Sequence, residues 1–184
     1  MQQNIREIRK NPMTRFALFD YIPSARLDKA TFDEVIVHDF ILSFKAGKRH
    51  AQMMAAYCVA RHLGKMENVV FVCIPASSKA KTKKRYEYFI KEVTKQTRMT
   101  DGTKHLQICG NKKGIHLRRT HYHKEENYQV LADKKFFEGK KCIVFDDITT
   151  TGKTADKMNE LLTEAGARVI WNVFLGKTKK HFKC

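Results

Sequence analysis

The sequence predicts an α/β domain, a mostly parallel central sheet flanked by helices. Apolar runs at 68–75, 142–145 and 168–175 suit strands covered on both faces. The first two are each followed by a turn of small and hydroxyl residues. Apolar residues at helical spacing then follow: Tyr86, Phe89, Ile90 and Val93 after one, Ala155, Met158, Leu161, Leu162 and Ala165 after the other. Strand, turn and helix in that alternation are the units from which parallel sheets are built.

Taken in order, residues 1–30 are expected to be irregular, because Pro12 and Pro23 break any long element. Residues 32–42 are densely apolar and fit a strand or short helix leading into the domain. Ala51, Met54, Ala55, Cys58, Val59, His62 and Leu63 mark a helix that Gly64 stops. After the strand at 68–75 and its helix, residues 103–109 are expected to form the next strand. The polar, basic stretch 110–126 reads as a long loop, a type usually kept for function. A short strand is expected at 128–131, a turn at 138–140, and a glycine cap at Gly166. No repeat or linker divides the chain, so residues 1–184 are expected to be one domain: an N-terminal extension (1–40), a core (41–176) and a basic tail (177–184).

At 184 residues, 42% hydrophobic and 30% charged, the composition is that of a globular protein with a full core. No run of eighteen apolar residues occurs, and the first ten residues lack the apolar centre of a signal peptide. No membrane partner and a cytoplasmic location are therefore expected. Cysteines at 58, 73, 109, 142 and 184 form no Cys-x-x-Cys pair, and Cys58, Cys73 and Cys142, on an apolar helix face and in apolar strand runs, read as small buried thiols. Cys109, His116, His121 and His123 are too irregularly spaced for zinc. The formal net charge is +17, and between Ala76 and Glu125 fourteen Lys/Arg stand against four Asp/Glu. Such a bias suits nucleic acid or a basic cleft for a phosphorylated ligand.

The chemistry concentrates at 142–154, Cys-Ile-Val-Phe-Asp-Asp-Ile-Thr-Thr-Thr-Gly-Lys-Thr. Asp146 and Asp147 stand near the carboxyl end of the strand, where open sheets place their ligands. The backbone N–H groups of Thr149, Thr150, Thr151, Gly152, Lys153 and Thr154 can then curl around an anion at a helix start. The threonine hydroxyls add donors, and Gly152 permits a positive φ. A nucleotide-hydrolase P-loop is excluded, because its first glycine would fall on Asp147. Two acids beside a phosphate cradle suit a ligand that carries sugar hydroxyls next to its phosphate.

This stretch resembles the phosphoribosyl-pyrophosphate (PRPP) motif of type I phosphoribosyltransferases, an apolar strand followed by Asp/Glu-Asp-x-x-Thr-Thr-Gly-x-Thr. The resemblance implies that family's Rossmann-like fold, with residues 149–154 on the 5′-phosphate and Asp146 and Asp147 on the ribose 2′- and 3′-hydroxyls. It also implies Mg²⁺ carried by PRPP rather than by direct protein ligands. Ala76, Ser77, Ser78 and Lys79 match the position of the family's pyrophosphate loop. Arg118 or Arg119 matches the mobile loop that closes over the ligand. Thr150 stands where salvage enzymes for 6-oxopurines carry an aspartate. The wider pattern is similar to ComF-like competence proteins over about residues 40–176: Phe44-Lys45-Ala46-Gly47-Lys48, Ile74-Pro75, Lys84-Arg85-Tyr86, Phe137-Glu138-Gly139-Lys140 and Ala165-Gly166-Ala167. It departs from them in lacking their zinc ribbon and in reading Arg85-Tyr86-Glu87-Tyr88 where Arg-Gly-Phe-Asn is expected.

The expected function is transfer of a phosphoribosyl group from PRPP to a nitrogenous acceptor with release of pyrophosphate. The alternative is a non-catalytic protein of the same fold that senses PRPP or handles nucleic acid, as in DNA uptake. The sequence leaves an oligomer open. Replacing Asp146 and Asp147 together by Asn is expected to weaken PRPP binding with little change in melting temperature.

Overall fold

A computed structural model describes residues 14–109 and 129–179. Its central sheet has five parallel strands in the order β1-β7-β6-β2-β3. These are β1 (Thr14–Tyr21), β2 (Val69–Cys73), β3 (Thr100–Asp101), β6 (Lys141–Thr149) and β7 (Arg168–Thr178). Strands β4 (Leu106–Cys109) and β5 (Gln129–Ala132) pair antiparallel as a separate two-stranded ribbon. The helices are α1 (Phe32–Lys45), α2 (Arg49–Leu63), α3 (Lys79–Thr97), the single turn α4 (Lys134–Phe137) and α5 (Lys153–Glu164).

Both faces of the sheet are covered, which is why its central strands are apolar without alternation. Phe71, Cys73, Ile143, Phe145, Val173 and Leu175 face one way, under Phe44 of α1, Ala55 and Val59 of α2, and Tyr86, Phe89 and Val93 of α3. The residues between them, Val70, Val72, Cys142, Val144 and Phe174, face the other way, under Ala155, Met158 and Leu162 of α5. On the first face Phe44, Phe89 and Phe145 interlock, with ring centroids 5.0 Å apart for Phe44–Phe89 and 4.6 Å for Phe89–Phe145. Aromatic pairs at such spacings stabilise beyond their buried area. This rigid block lies directly below the residues at the end of β6. Gly47 joins α1 to α2 with a φ of 78°, and a Cβ there would stand 2.5 Å from the Lys84 carbonyl oxygen, so α3 can approach only a glycine.

Three expectations are corrected, and one that was left open is decided. Residues 14–21 are an edge strand, β1, paired in parallel with β7. Pro12 and Pro23 fall on either side of it; a proline without an N–H is tolerated beside a strand and not in its middle. Of the strand or short helix expected at 32–42 the structure has the helix, which runs on to Lys45 and is started by a capping box in which Thr31 and Glu34 exchange hydrogen bonds. The strand expected at 103–109 begins with a 3-10 turn (Thr103–His105), and only Leu106–Cys109 is extended, in the ribbon and not in the main sheet. The last strand reaches Thr178, so Lys177 belongs to the sheet and not to a tail. Among the described residues no helix is long and apolar enough to cross a membrane.

Candidate functional site

Strands β2 and β6 are neighbours, in register from Val69 opposite Lys141 to Cys73 opposite Phe145, and the Ile74 N–H donates to the Phe145 carbonyl at 2.8 Å. The helices that follow them pack on opposite faces, α3 on one and α5 on the other. The chain therefore parts here in two directions and leaves a crevice at the carboxyl ends of both strands, the place where open α/β sheets bind ligands.

On the β6 side, Asp146, residues 148–154, Ala155 and Phe174 line a cavity of about 170 Å³. Gly152 has a φ of 82° and stands at the N-cap of α5, where no side chain caps the helix. Most helices fill that place with a Ser, Thr, Asp or Asn oxygen. Here the helix start, residues 152–155, lines the cavity without such a cap, which leaves its first-turn N–H groups and the positive end of the helix dipole at the cavity wall. Thr151, Lys153 and Thr154 are exposed, and the Thr150 hydroxyl lies 2.8 Å from that of Thr178.

The two acids are in unlike surroundings. The Asp147 side chain, 8% exposed, forms an ion pair of 2.7 Å with Arg85 Nη1 of α3, itself 15% exposed. Its Oδ1 also accepts from the Ile148 N–H at 2.8 Å. Arg85 in turn donates from Nε to the Lys45 carbonyl at 3.3 Å, so one guanidinium joins the end of α1, the start of α3 and the end of β6. Burial, and then Asp147, push the Tyr86 hydroxyl well above its ordinary value and raise that of Tyr21 as well. Asp146 points into the cavity instead. Burial, with the charge of Asp147 next to it, holds its carboxyl well above the usual carboxylate range, against the pull of the Asp147 N–H that donates to its Oδ1 at 2.9 Å. Removing the Asp147 charge leaves Arg85 without its charge partner, so Asp147 is expected to carry stability as well as any contact with a ligand.

The turn after β2 is closed on itself. Ser78 is the N-cap of α3 and accepts from the Lys81 N–H at 3.3 Å. The Thr82 hydroxyl donates to the Ser78 carbonyl at 2.9 Å and accepts from the Ala76 N–H at 3.0 Å. Ala76 is buried, Ser77 and Ser78 are half-buried, and Lys79 is exposed. Lys79 lines another cavity, about 780 Å³ and mainly apolar, shared with Tyr86, Ile90, Leu106 and Ile108. Arg118, Arg119, His116, His121 and His123 lie outside the described residues. Among the described residues no group of three or more His, Cys, Asp or Glu could hold a metal ion.

Two cations at the site are not evident from the motif. Arg85 has a local signal, because it opens the stretch where the ComF-like pattern has its arginine. Arg15 of β1 has none; it lies against Gly152, on the far side of the hydroxyl loop.

No protein-family model matches the sequence, and no curated protein is significantly similar to it. Solved structures with a partial likeness include the adenine phosphoribosyltransferase of Thermoanaerobacter pseudethanolicus, with 16% identity over 71% of this chain and 70% of that one, TM-score 0.45. Another is the purine phosphoribosyltransferase of Pyrococcus horikoshii, with 14% identity over 69% and 82%, TM-score 0.38. A third is an allosteric regulatory enzyme of purine biosynthesis, with 18% identity, TM-score 0.43; the match takes in 71% of this chain but only 26% of that larger one. Likeness of this degree assigns no activity.

Proposed function

We propose that the chain binds PRPP and transfers its phosphoribosyl group to a nitrogenous acceptor, releasing pyrophosphate. The observation that supports this best is the single cavity shared by Asp146 and an uncapped, hydroxyl-rich helix start. A phosphate cradle and a carboxylate for hydroxyl groups side by side match a phosphorylated sugar. The 5′-phosphate would take the N–H and hydroxyl groups of residues 149–154. The ribose diol would donate to Asp146, while Asp147 would hold the strand end in place through Arg85. The pyrophosphate, with the Mg²⁺ it carries as part of the substrate, would meet residues 76–79, with Ser77 and Lys79 offering side chains and the Ser78 oxygen kept by the helix.

In this reading the bond from C1′ to the pyrophosphate oxygen breaks largely ahead of attack, so positive charge grows on the sugar ring and negative charge on the departing group. Asp146, as the carboxylate, would face the first and Lys79 the second, and charges so placed would favour the transition state over the ground state. The acceptor nitrogen then bonds to C1′, and no covalent link to the protein is needed.

The net charge of +17 supports a second reading, a PRPP-sensing or nucleic-acid-handling protein that does not turn over. Titration calorimetry with Mg²⁺ and PRPP at several salt concentrations, followed by an assay of pyrophosphate release across nucleobases, separates the two. Binding with release for at least one base is the expected result. Binding without release over a broad panel favours a sensor. Steeply salt-dependent DNA binding without affinity for PRPP overturns the transferase reading.

A further inference from the structure

Behind the hydroxyl loop, on the β1 side, lies a cavity of about 450 Å³ lined among others by Arg15, Thr149, Thr150, Gly152 and Lys177. Its two cations come from outside the loop: Arg15 from the edge strand, and Lys177 from β7, directly opposite Thr149 in the sheet register. Arg15 forms an ion pair with Asp156 in the first turn of α5. Its guanidinium packs against the bare Cα of Gly152, where a Cβ would stand 2.9 Å from Nη1. The glycine thus supplies the turn's positive φ and also admits the arginine.

The ion pair is half open to water, its side chains 40% and 45% exposed. Pairs of that kind hold weakly, whereas a guanidinium on a phosphate forms two parallel charge-assisted bonds. Asp156 itself stands beside the helix start, where its carboxylate competes with an incoming anion for Arg15.

We infer that Arg15 and Lys177 complete a phosphate-monoester subsite. Arg15 leaves Asp156 to bind the 5′-phosphate from the β1 side while the loop's N–H groups bind it from within. The subsite rests on the PRPP reading above and supplies two full positive charges to a group of nearly two negative ones, which backbone dipoles alone do not match.

The test is titration calorimetry of the whole chain and its variants with Mg²⁺-PRPP, ribose 5-phosphate and unphosphorylated ribose. Arg15→Ala is expected to weaken both phosphorylated ligands by about ten- to hundred-fold, the loss of charge-assisted hydrogen bonds, and to flatten their salt dependence. Arg15→Ala with Asp156→Ala is expected to recover part of that loss. Asp156→Ala alone leaves Arg15 in place and is expected to tighten the phosphorylated ligands, a gain no purely structural ion pair produces; weakened binding in this variant overturns the subsite. Wild-type affinity for ribose 5-phosphate in Arg15→Ala also overturns it and leaves the PRPP reading standing. A wild-type chain that binds neither phosphorylated ligand overturns both.

Discussion

The turns that follow β2 and β6 are written in residues of the same kind, small and hydroxyl-bearing, and they end in opposite states. After β2, Ser78 caps α3 and Thr82 ties back to Ala76 and Ser78, so the turn uses its own polar groups. After β6, Gly152 takes the cap position with a φ of 82°, and the start of α5 has no side-chain cap. A hydroxyl in such a turn either completes the helix or awaits a ligand, and the residue at the N-cap decides which. The turns are joined by Arg85, on the helix the first one starts, through its ion pair with Asp147 at the base of the second.

Breaking that join has the largest expected effect. Asp147→Asn leaves a guanidinium 15% exposed and without its charge partner, and a buried pair broken on one side costs about 3–5 kcal/mol. Chemical denaturation should show it as a lower midpoint with an unchanged slope. Because Arg85 also binds the Lys45 carbonyl, the loss should spread to the α1 and α3 side of the sheet, readable as faster amide exchange there. A variant as stable as the parent would mean that the two turns are held independently.

Ser78→Ala tests the closed state of the first turn. If the hydroxyl serves the helix, the chain loses about 1 kcal/mol of stability, the usual worth of an N-cap, and PRPP and ribose 5-phosphate affinities stay nearly unchanged. Affinity falling for PRPP alone would instead make Ser78 a direct pyrophosphate contact and remove the contrast between the turns.

What the sequence reveals of this arrangement follows the range of the interactions. Strands β2, β6 and β7 are legible because burial on both faces leaves an uninterrupted apolar signature. The hydroxyl loop is legible because its glycine, threonines and acids are contiguous. The edge strand β1 is not: Phe16, Ala17, Leu18 and Phe19 carry its apolar signal, but Pro12 and Pro23, which flank it in the sequence, look like breakers of the whole region. Nor is the difference between the two acids. Alternation along a strand already implies that Asp146 and Asp147 point to opposite faces. That Arg85 waits on one of those faces depends on where α3 packs, and no local pattern states that. The two turns look alike for a related reason, since capping by Ser78 depends on backbone geometry and not on composition.

The smallest expected effect concerns Asp146, and its sign is informative. In the unfolded chain this carboxyl titrates near pH 4; in the folded protein burial, with Asp147 beside it, raises it well above that range. Between the two values the folded state holds the extra proton, so stability from this group is greatest at low pH and declines as pH rises through the folded pKa. Asn cannot titrate and still accepts from the Asp147 N–H, so Asp146→Asn should match the parent near pH 4, about the unfolded pKa, and melt higher at neutral pH. Binding should move the other way, because an amide accepts the ribose diol less well than a carboxylate. Melting curves across that range, paired with PRPP titrations, check both. A gain in stability together with a loss of affinity marks an acid kept for its ligand. Loss of both would make Asp146 a second structural anchor like Asp147, and the open turn would then have no carboxylate to offer a sugar.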